Sequence, residues 1–345
     1  MPRDDSLISL ADYERAAEHL LEPPALSYFF GGAGDEITMR DNVHAWKRFA
    51  IKPRMLVGVA AGELSVTVLG RPRPHPLIIA PMASQGHADP EGDVATARAA
   101  AATGAVMCLS TLATVGVTEL AHAAPDLTRW FQLYVFRDRA YSDQLVAQAV
   151  ELGYEALVVT VDLPVLGVRE RELRFPIEQG PSEMAPLIDP LLSWKDIERF
   201  ASDCPLPLLV KGILTPEDAR LAIEHGARGV IVSNHGGRQL DTVMSSADAL
   251  APIVDAVAGE IDVLVDGGIR RGTDILKALA LGAQAVLVGR PILFGLVVGG
   301  SDGARRVLEI LIAELDTALA LAGVARAADL GRANVVPARW EVPSH

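Results

Sequence analysis

The segment His235-Gly236-Gly237-Arg238 is the part of this chain best suited to chemistry. Two glycines let the backbone turn sharply beside an imidazole. An arginine three residues on can hold a carboxylate through two parallel hydrogen bonds, which fixes the α-carbon of a 2-hydroxy acid near the ring. The plainer reading is a histidine at a strand end that caps a helix, and on this segment alone the two readings weigh equally. Asp162, in Thr160-Val161-Asp162, offers a carboxylate that can orient an imidazole and stabilise its protonated form, as in a catalytic triad; taken alone it reads as a helix cap. Lys211 ends the apolar run Leu206–Val210. It is either the partner of a nearby carboxylate or a fixed positive charge beside a cofactor that becomes anionic on reduction.

A second set of residues suits phosphate. Asp266-Gly267-Gly268-Ile269-Arg270-Arg271-Gly272 and Gly289-Arg290 combine arginines with glycines that bare backbone N–H groups. There is no strand-GxGxxG-helix fingerprint, no Walker loop and no His/Cys/carboxylate cluster with metal-ligand spacing, so no metal is expected. A flavin mononucleotide fits this pattern better than a dinucleotide.

Positioning these groups requires elements, and the chain supplies them in a repeated order. Nearly continuous apolar runs occur at Leu77–Ala83, Val106–Leu112, Trp130–Val135, Ala156–Asp162, Pro207–Gly212, Gly229–Asn234, Asp262–Gly267 and Ala285–Gly289. Such runs suit parallel strands covered on both faces. Ala- and Leu-rich segments separate them, opened by Asp89-Pro90-Glu91, Thr215-Pro216-Glu217-Asp218 and Arg271-Gly272-Thr273-Asp274, and closed by Gly104, Gly153, Gly226 and Gly282. Strand and helix alternating in this way predict an α/β fold, a (β/α)8 TIM barrel, with a doubly wound open sheet as the lesser alternative. In that barrel the site lies where the strands end. Ala80-Pro81-Met82-Ala83, Ser110, Gln132, Tyr134, Thr160, Lys211, Ser233, His235, Asp266 and Gly289 then share one rim.

The whole of residues 1–345 is read as one domain. Residues 1–76 form a helical extension, with helices over Ala11–Leu21 and around Asp41–Trp46 and a strand Ser65–Leu69 near the barrel floor. Residues 77–300 form the barrel, 163–193 a lid after strand four, and 301–323 a long closing helix. The lid holds the charge run Arg169-Glu170-Arg171-Glu172.

A net charge of −13 excludes a general nucleic-acid or anionic-membrane surface. No apolar run reaches the ~18–20 residues that cross a bilayer, and the N-terminus lacks a signal-peptide core. Two cysteines, Cys108 and Cys204, are read as free thiols, and the location expected is the cytoplasm.

From about Tyr13 to about Gly323 the chain resembles the FMN-dependent 2-hydroxy acid oxidase and dehydrogenase family, which includes glycolate oxidase, lactate oxidase and mandelate dehydrogenase. The resemblance rests on Asp89–Gly92, Phe131-Gln132-Leu133-Tyr134, Thr160-Val161-Asp162, Ser193-Trp194-Lys195-Asp196, Val210-Lys211-Gly212, Ser233–Asp241, Asp266–Asp274 and Gly289-Arg290-Pro291. It implies FMN as cofactor and a small (S)-2-hydroxy acid as substrate. The reduced flavin would be reoxidised by O2 to give H2O2 or, alternatively, by a quinone or carrier protein. By the same resemblance His235 is the base and Asp162 its partner, with Tyr134 and Lys211 beside them. Arg169 and Arg238 bind the substrate carboxylate, and Tyr28 and Tyr134 contact the substrate. Gln132, Thr160, Lys211, Ser110 and the backbone near Ala83 surround the flavin, and Asp266, Arg270, Gly289 and Arg290 hold its ribityl phosphate. A homotetramer or larger oligomer is implied too.

Three departures bear on the substrate. Leu112 stands where glycolate oxidases carry tryptophan, Met82 stands where threonine is common, and the lid is shorter than in typical members. These point away from glycolate and leave room for a bulkier hydroxy-acid-like metabolite. A catalytically silent FMN-binding barrel is weighed against by the intact His235, Arg238, Arg169 and Asp162 set.

Overall fold

The computed structural model describes residues 6–178 and 180–340. Eight parallel strands close into a barrel: β1 (Leu77–Ile79), β2 (Val106–Ser110), β3 (Arg129–Leu133), β4 (Leu157–Thr160), β5 (Leu208–Ile213), β6 (Gly229–Val232), β7 (Asp262–Asp266) and β8 (Ala285–Val288). Neighbours in sequence are neighbours in space, and β8 returns to β1 with Val286 opposite Leu77. Strands β1 to β4, β6 and β8 are buried along their whole length, which is why they read as unbroken apolar runs. Each fully buried Val, Leu or Ile contributes about 1.5–3 kcal/mol relative to exposure. The open-sheet alternative is excluded by this closure.

Most strands are shorter than the runs that foretold them. The β1 strand ends at Ile79, and once the Ala80 N–H has donated to the Val288 carbonyl at 3.0 Å, Pro81–Ala83 leave the ladder and line the cleft. The apolar run continues because those residues are covered by neighbours rather than paired with them.

The helix-start signals hold. Thr215 caps the helix Pro216–Glu224 by accepting from the Asp218 N–H, and the helix Gly272–Ala280 begins where Arg271-Gly272-Thr273-Asp274 placed it. Gly104 closes the helix Gly92–Thr103 at φ +76°.

Ahead of the barrel lie α1 (Leu10–Leu20), α2 (Pro23–Phe30) and α3 (Ile37–Ala45). Ser9 and Asp12 form a capping box at α1. Helix α2 was not foreseen as an element; it starts with two prolines in its first turn. Val66–Val68 pairs with Arg71–Arg73 as a hairpin under the barrel, where the Leu69 N–H donates to Asp262 at the start of β7. The expected closing helix is preceded by another that begins at Arg290, directly after β8. Gly299 and Gly300 leave helical geometry between them, and a Cβ on Gly295 would lie 2.5 Å from the Gly303 carbonyl oxygen, so glycine is what lets the two helices approach so closely there.

The lid is less open than a loop. It holds the helical turns Glu170–Arg174 and Pro181–Met184 and a 3₁₀ turn at Ala185–Leu187. Within the described residues no helix is long and apolar enough to cross a membrane, and Cys108 and Cys204 are buried free thiols.

Candidate active site

A cleft opens where the barrel strands end. His235 stands in it, three residues beyond β6, with φ +59°, a left-handed conformation rare for a side chain with a Cβ. The loop is held in that shape from several sides. The His235 N–H donates to Ser233 Oγ at 3.1 Å, and the Gly237 N–H donates to Asn234 Oδ1 at 3.2 Å. Asn234 and Asn42 of α3 exchange side-chain amide hydrogen bonds, both at 2.8 Å.

His235 Nδ1 lies 2.9 Å from Asp162 Oδ1. Burial would raise the Asp162 pKa, but His235 and Lys211 outweigh it and hold the carboxyl below its ordinary value. An ionised carboxylate only accepts, so Nδ1 carries the proton and Nε2 keeps its lone pair. Burial lowers the His235 pKa against the opposing pull of Asp162, so the ring is neutral at pH 7. Tyr134 Oη lies 3.3 Å from Nε2, and its own pKa is raised by burial, which keeps the phenol protonated as a donor.

Arg169 and Arg238 meet beside this imidazole, and both line the cleft. Arg238 Nη1 donates to the carbonyls of Tyr28, in the last turn of α2, and Gly31, just beyond it, and its guanidinium lies over the Tyr28 ring at 4.7 Å. Arg169 Nε donates to the Arg238 carbonyl at 2.9 Å. Between the two guanidinium groups sits Glu172, whose Oε1 accepts from Arg238 Nη2 at 2.9 Å and from Arg169 Nη1 at 3.3 Å.

Lys211, the last polar group inside β5, donates to Ser233 Oγ at 2.9 Å and pairs with Asp266 Oδ2 at 3.1 Å. Burial works against its charge, yet Asp266 and Asp162 raise its pKa on balance, so it stays an ammonium. Lys211 is therefore an ion-pair partner, and the same ammonium lines the cleft.

The floor of the cleft fits FMN. Gln132 Nε2, Thr160 Oγ1 and Asp266 Oδ1 are buried polar atoms with no partner among the described residues, a cost that a bound polar heterocycle and its sugar-alcohol chain would relieve. Ala80, Pro81, Met82 and Ala83 form one wall, and Ser110 another. Gly267, Gly268, Arg270, Gly289 and Arg290 line the end suited to a phosphate. A Cβ on Gly268 would fall 1.8 Å from the Asn42 carbonyl oxygen, so only glycine lets the chain pass. Arg290 also donates to the carbonyls of Phe29, Gly31 and Gly236, and burial lowers its pKa to about 9.

The structure thus brings together nearly every residue the sequence singled out. Asp162, Gln132 and Ser233 are exceptions only in standing behind the wall, touching His235, Ser110 and Lys211 respectively. Sequence reasoning missed Glu172, the Asn42–Asn234 pair and the apolar walls at Leu163, Ala185 and Ile188. Glu172 had a signal, its i+3 spacing from Arg169.

The family model described as FMN-dependent dehydrogenase matches residues 17–188 and 176–337. The L-lactate oxidase of Nostoc sp. is 47% identical, covering 94% of this chain and 97% of its own length. Glycolate oxidase 3 of Arabidopsis thaliana is 42% identical over 98% of both chains. A soluble mutant of the membrane-associated (S)-mandelate dehydrogenase from Pseudomonas putida superposes with a TM-score of 0.91 at 37% identity, covering 96% of this chain and 100% of that one. Mandelate oxidase with (S)-4-hydroxymandelic acid gives 0.89 at 40% identity, covering 93% and 96%. With the barrel, the histidine–aspartate pair and a cleft whose residues suit FMN already in place, these likenesses make the chain a member of the FMN-dependent dehydrogenase family, with FMN as its cofactor.

Proposed function

We propose that this protein oxidises an (S)-2-hydroxy acid to the 2-oxo acid on bound FMN and returns the electrons to O2 as H2O2. The observation that carries the reading is an imidazole, bonded to the Asp162 carboxylate, beside two guanidinium groups at one cleft. FMN, when bound, supplies the acceptor for the two electrons that leave the substrate α-carbon.

Everything else falls to the chain's own side chains. Arg169 and Arg238 bind the substrate carboxylate, and Tyr28 and Tyr134 orient it and the hydroxyl. The HO–C–H unit loses two protons with the electron pair: His235 Nε2 takes one, the other would leave with the electrons to the reduced cofactor, and Asp162 stabilises the imidazolium so formed. Lys211 keeps a positive charge over the flavin site, with Ser233 and Asp266 holding its ammonium in place. Gln132, Thr160 and Ser110 would bond the ring edges, and Arg270, Arg290 and the Gly267, Gly268 and Gly289 backbone the phosphate. Leu112, Leu163, Leu166, Ala185 and Ile188 line the remaining wall, which favours a substrate with an apolar side chain. We also place the protein in the cytoplasm as a homotetramer or larger. The two free thiols support the first, and exposed Val168, Leu173 and Phe175 in the segment after β4 support the second.

Anaerobic mixing of the FMN-loaded protein with a panel of 2-hydroxy acids should bleach the flavin absorbance, and admitting air should restore it with release of H2O2. A colourless protein that refuses FMN, or a yellow one that no 2-hydroxy acid bleaches, overturns the reading.

A further inference from the structure

We propose that Glu172 is a positioning residue: its carboxylate is the shared counter-ion that assembles Arg169 and Arg238 into a clamp before the substrate carboxylate arrives. The inference rests on the carboxylate-binding role proposed above for the two arginines.

Arg169, Arg238 and Glu172 have side chains only 5%, 14% and 13% exposed. Two guanidinium groups so placed repel each other, and a buried cation without compensation is strongly unfavourable. Glu172 Oε1 accepts from both, and the trio is left with one net positive charge, matched to one incoming carboxylate. The charge run of the lid divides accordingly. Arg169 and Glu172, three apart on one helical turn, turn inward, while Arg171 pairs with Glu36 and Arg174 with Glu170.

Two observations make Glu172 a support rather than a competitor for the substrate's place. Both arginines line the cleft and Glu172 does not. Each guanidinium also carries five N–H groups. Arg238 spends its donors on Tyr28, Gly31 and Glu172, and Arg169 on Arg238, Glu172 and Gln239, so each keeps N–H groups beyond its described acceptors.

The test compares Glu172→Gln with Glu172→Asp in the FMN-loaded protein. It measures kcat and KM for a 2-hydroxy acid, and by calorimetry the Kd of propionate, a monocarboxylate that cannot be oxidised. For Glu172→Gln, KM and the propionate Kd should rise about tenfold or more. Its kcat should stay within about threefold, because bound substrate then bridges the arginines itself. Glu172→Asp keeps the charge and should stay within about threefold of the wild type on all three. A lower KM in Glu172→Gln would make the acid a competitor, and a Gln variant that outperforms Asp would make its role one of shape; either result overturns the proposal. Should no 2-hydroxy acid be oxidised, the propionate Kd still decides it. Should Glu172→Gln not fold, Arg169→Leu with Glu172→Leu removes one cation together with the acid, and its KM should be no higher than that of Arg169→Leu alone. A larger KM in the double variant overturns the proposal.

Discussion

Asn42 and Asn234 lie 192 positions apart and clasp each other through two side-chain amide hydrogen bonds of 2.8 Å, joining α3 to the loop that bears His235. Both are buried, so neither amide has water as an alternative partner. Asn42→Ala leaves Asn234 short of a donor and an acceptor and should cost about 1–3 kcal/mol in denaturant unfolding. It should also slow flavin reduction, because the left-handed backbone at His235 loses a support. Unchanged stability and unchanged reduction together would show that the clasp is incidental.

His235→Gln keeps a polar side chain of similar reach and removes the base. Anaerobic reduction should fall by roughly 10²–10⁴-fold while FMN stays bound. Stopped-flow absorbance measures both. A yellow variant that turns over at the wild-type rate would falsify the assignment of the base.

The sign of the pH dependence follows from burial. Because the His235 pKa lies below its ordinary value near 6.5, kcat/KM should rise with pH along a limb centred below about 6.5 and level off by neutrality. Asp162 is what raises the imidazole pKa against burial. Asp162→Asn should therefore move that limb further down in pH while lowering the plateau by about 10² or more, since the imidazolium loses its counter-charge. A limb displaced upward in the variant contradicts the pairing.

Gly268→Ala tests the cradle. A methyl group there meets the Asn42 carbonyl oxygen at 1.8 Å, on a backbone with φ +77°. The variant should lose roughly 3 kcal/mol or more and most of its FMN affinity, read by thermal melting and flavin fluorescence. Normal melting with normal affinity would mean that α3 does not pack there.

The barrel was legible because its strands are covered on both faces, so each announces itself as an apolar run, and because turn and cap residues punctuate the helices between them. His235, Asp162 and Lys211 were legible because ionisable groups at the ends of such runs are costly unless used. Strand ends were overrun, since Pro81–Ala83 are as apolar as the paired residues before them. Glu172 was hidden inside a charge run that looks like an ordinary solvated face, and only the fold turns one side of it inward. Asn42 gave no local sign at all, because its partner is brought to it by the chain closing on itself.

The carbonyl of Gly31 receives a guanidinium N–H from Arg238 and another from Arg290, at 2.9 Å each. One peptide oxygen in the leading segment thereby staples together two loops that belong to different strands. That segment is consequently a keystone rather than a preface: a recombinant boundary drawn after it would leave the strand cylinder intact on paper and its rim without a roof, and a protease cut there should release cofactor and scaffold order in the same event.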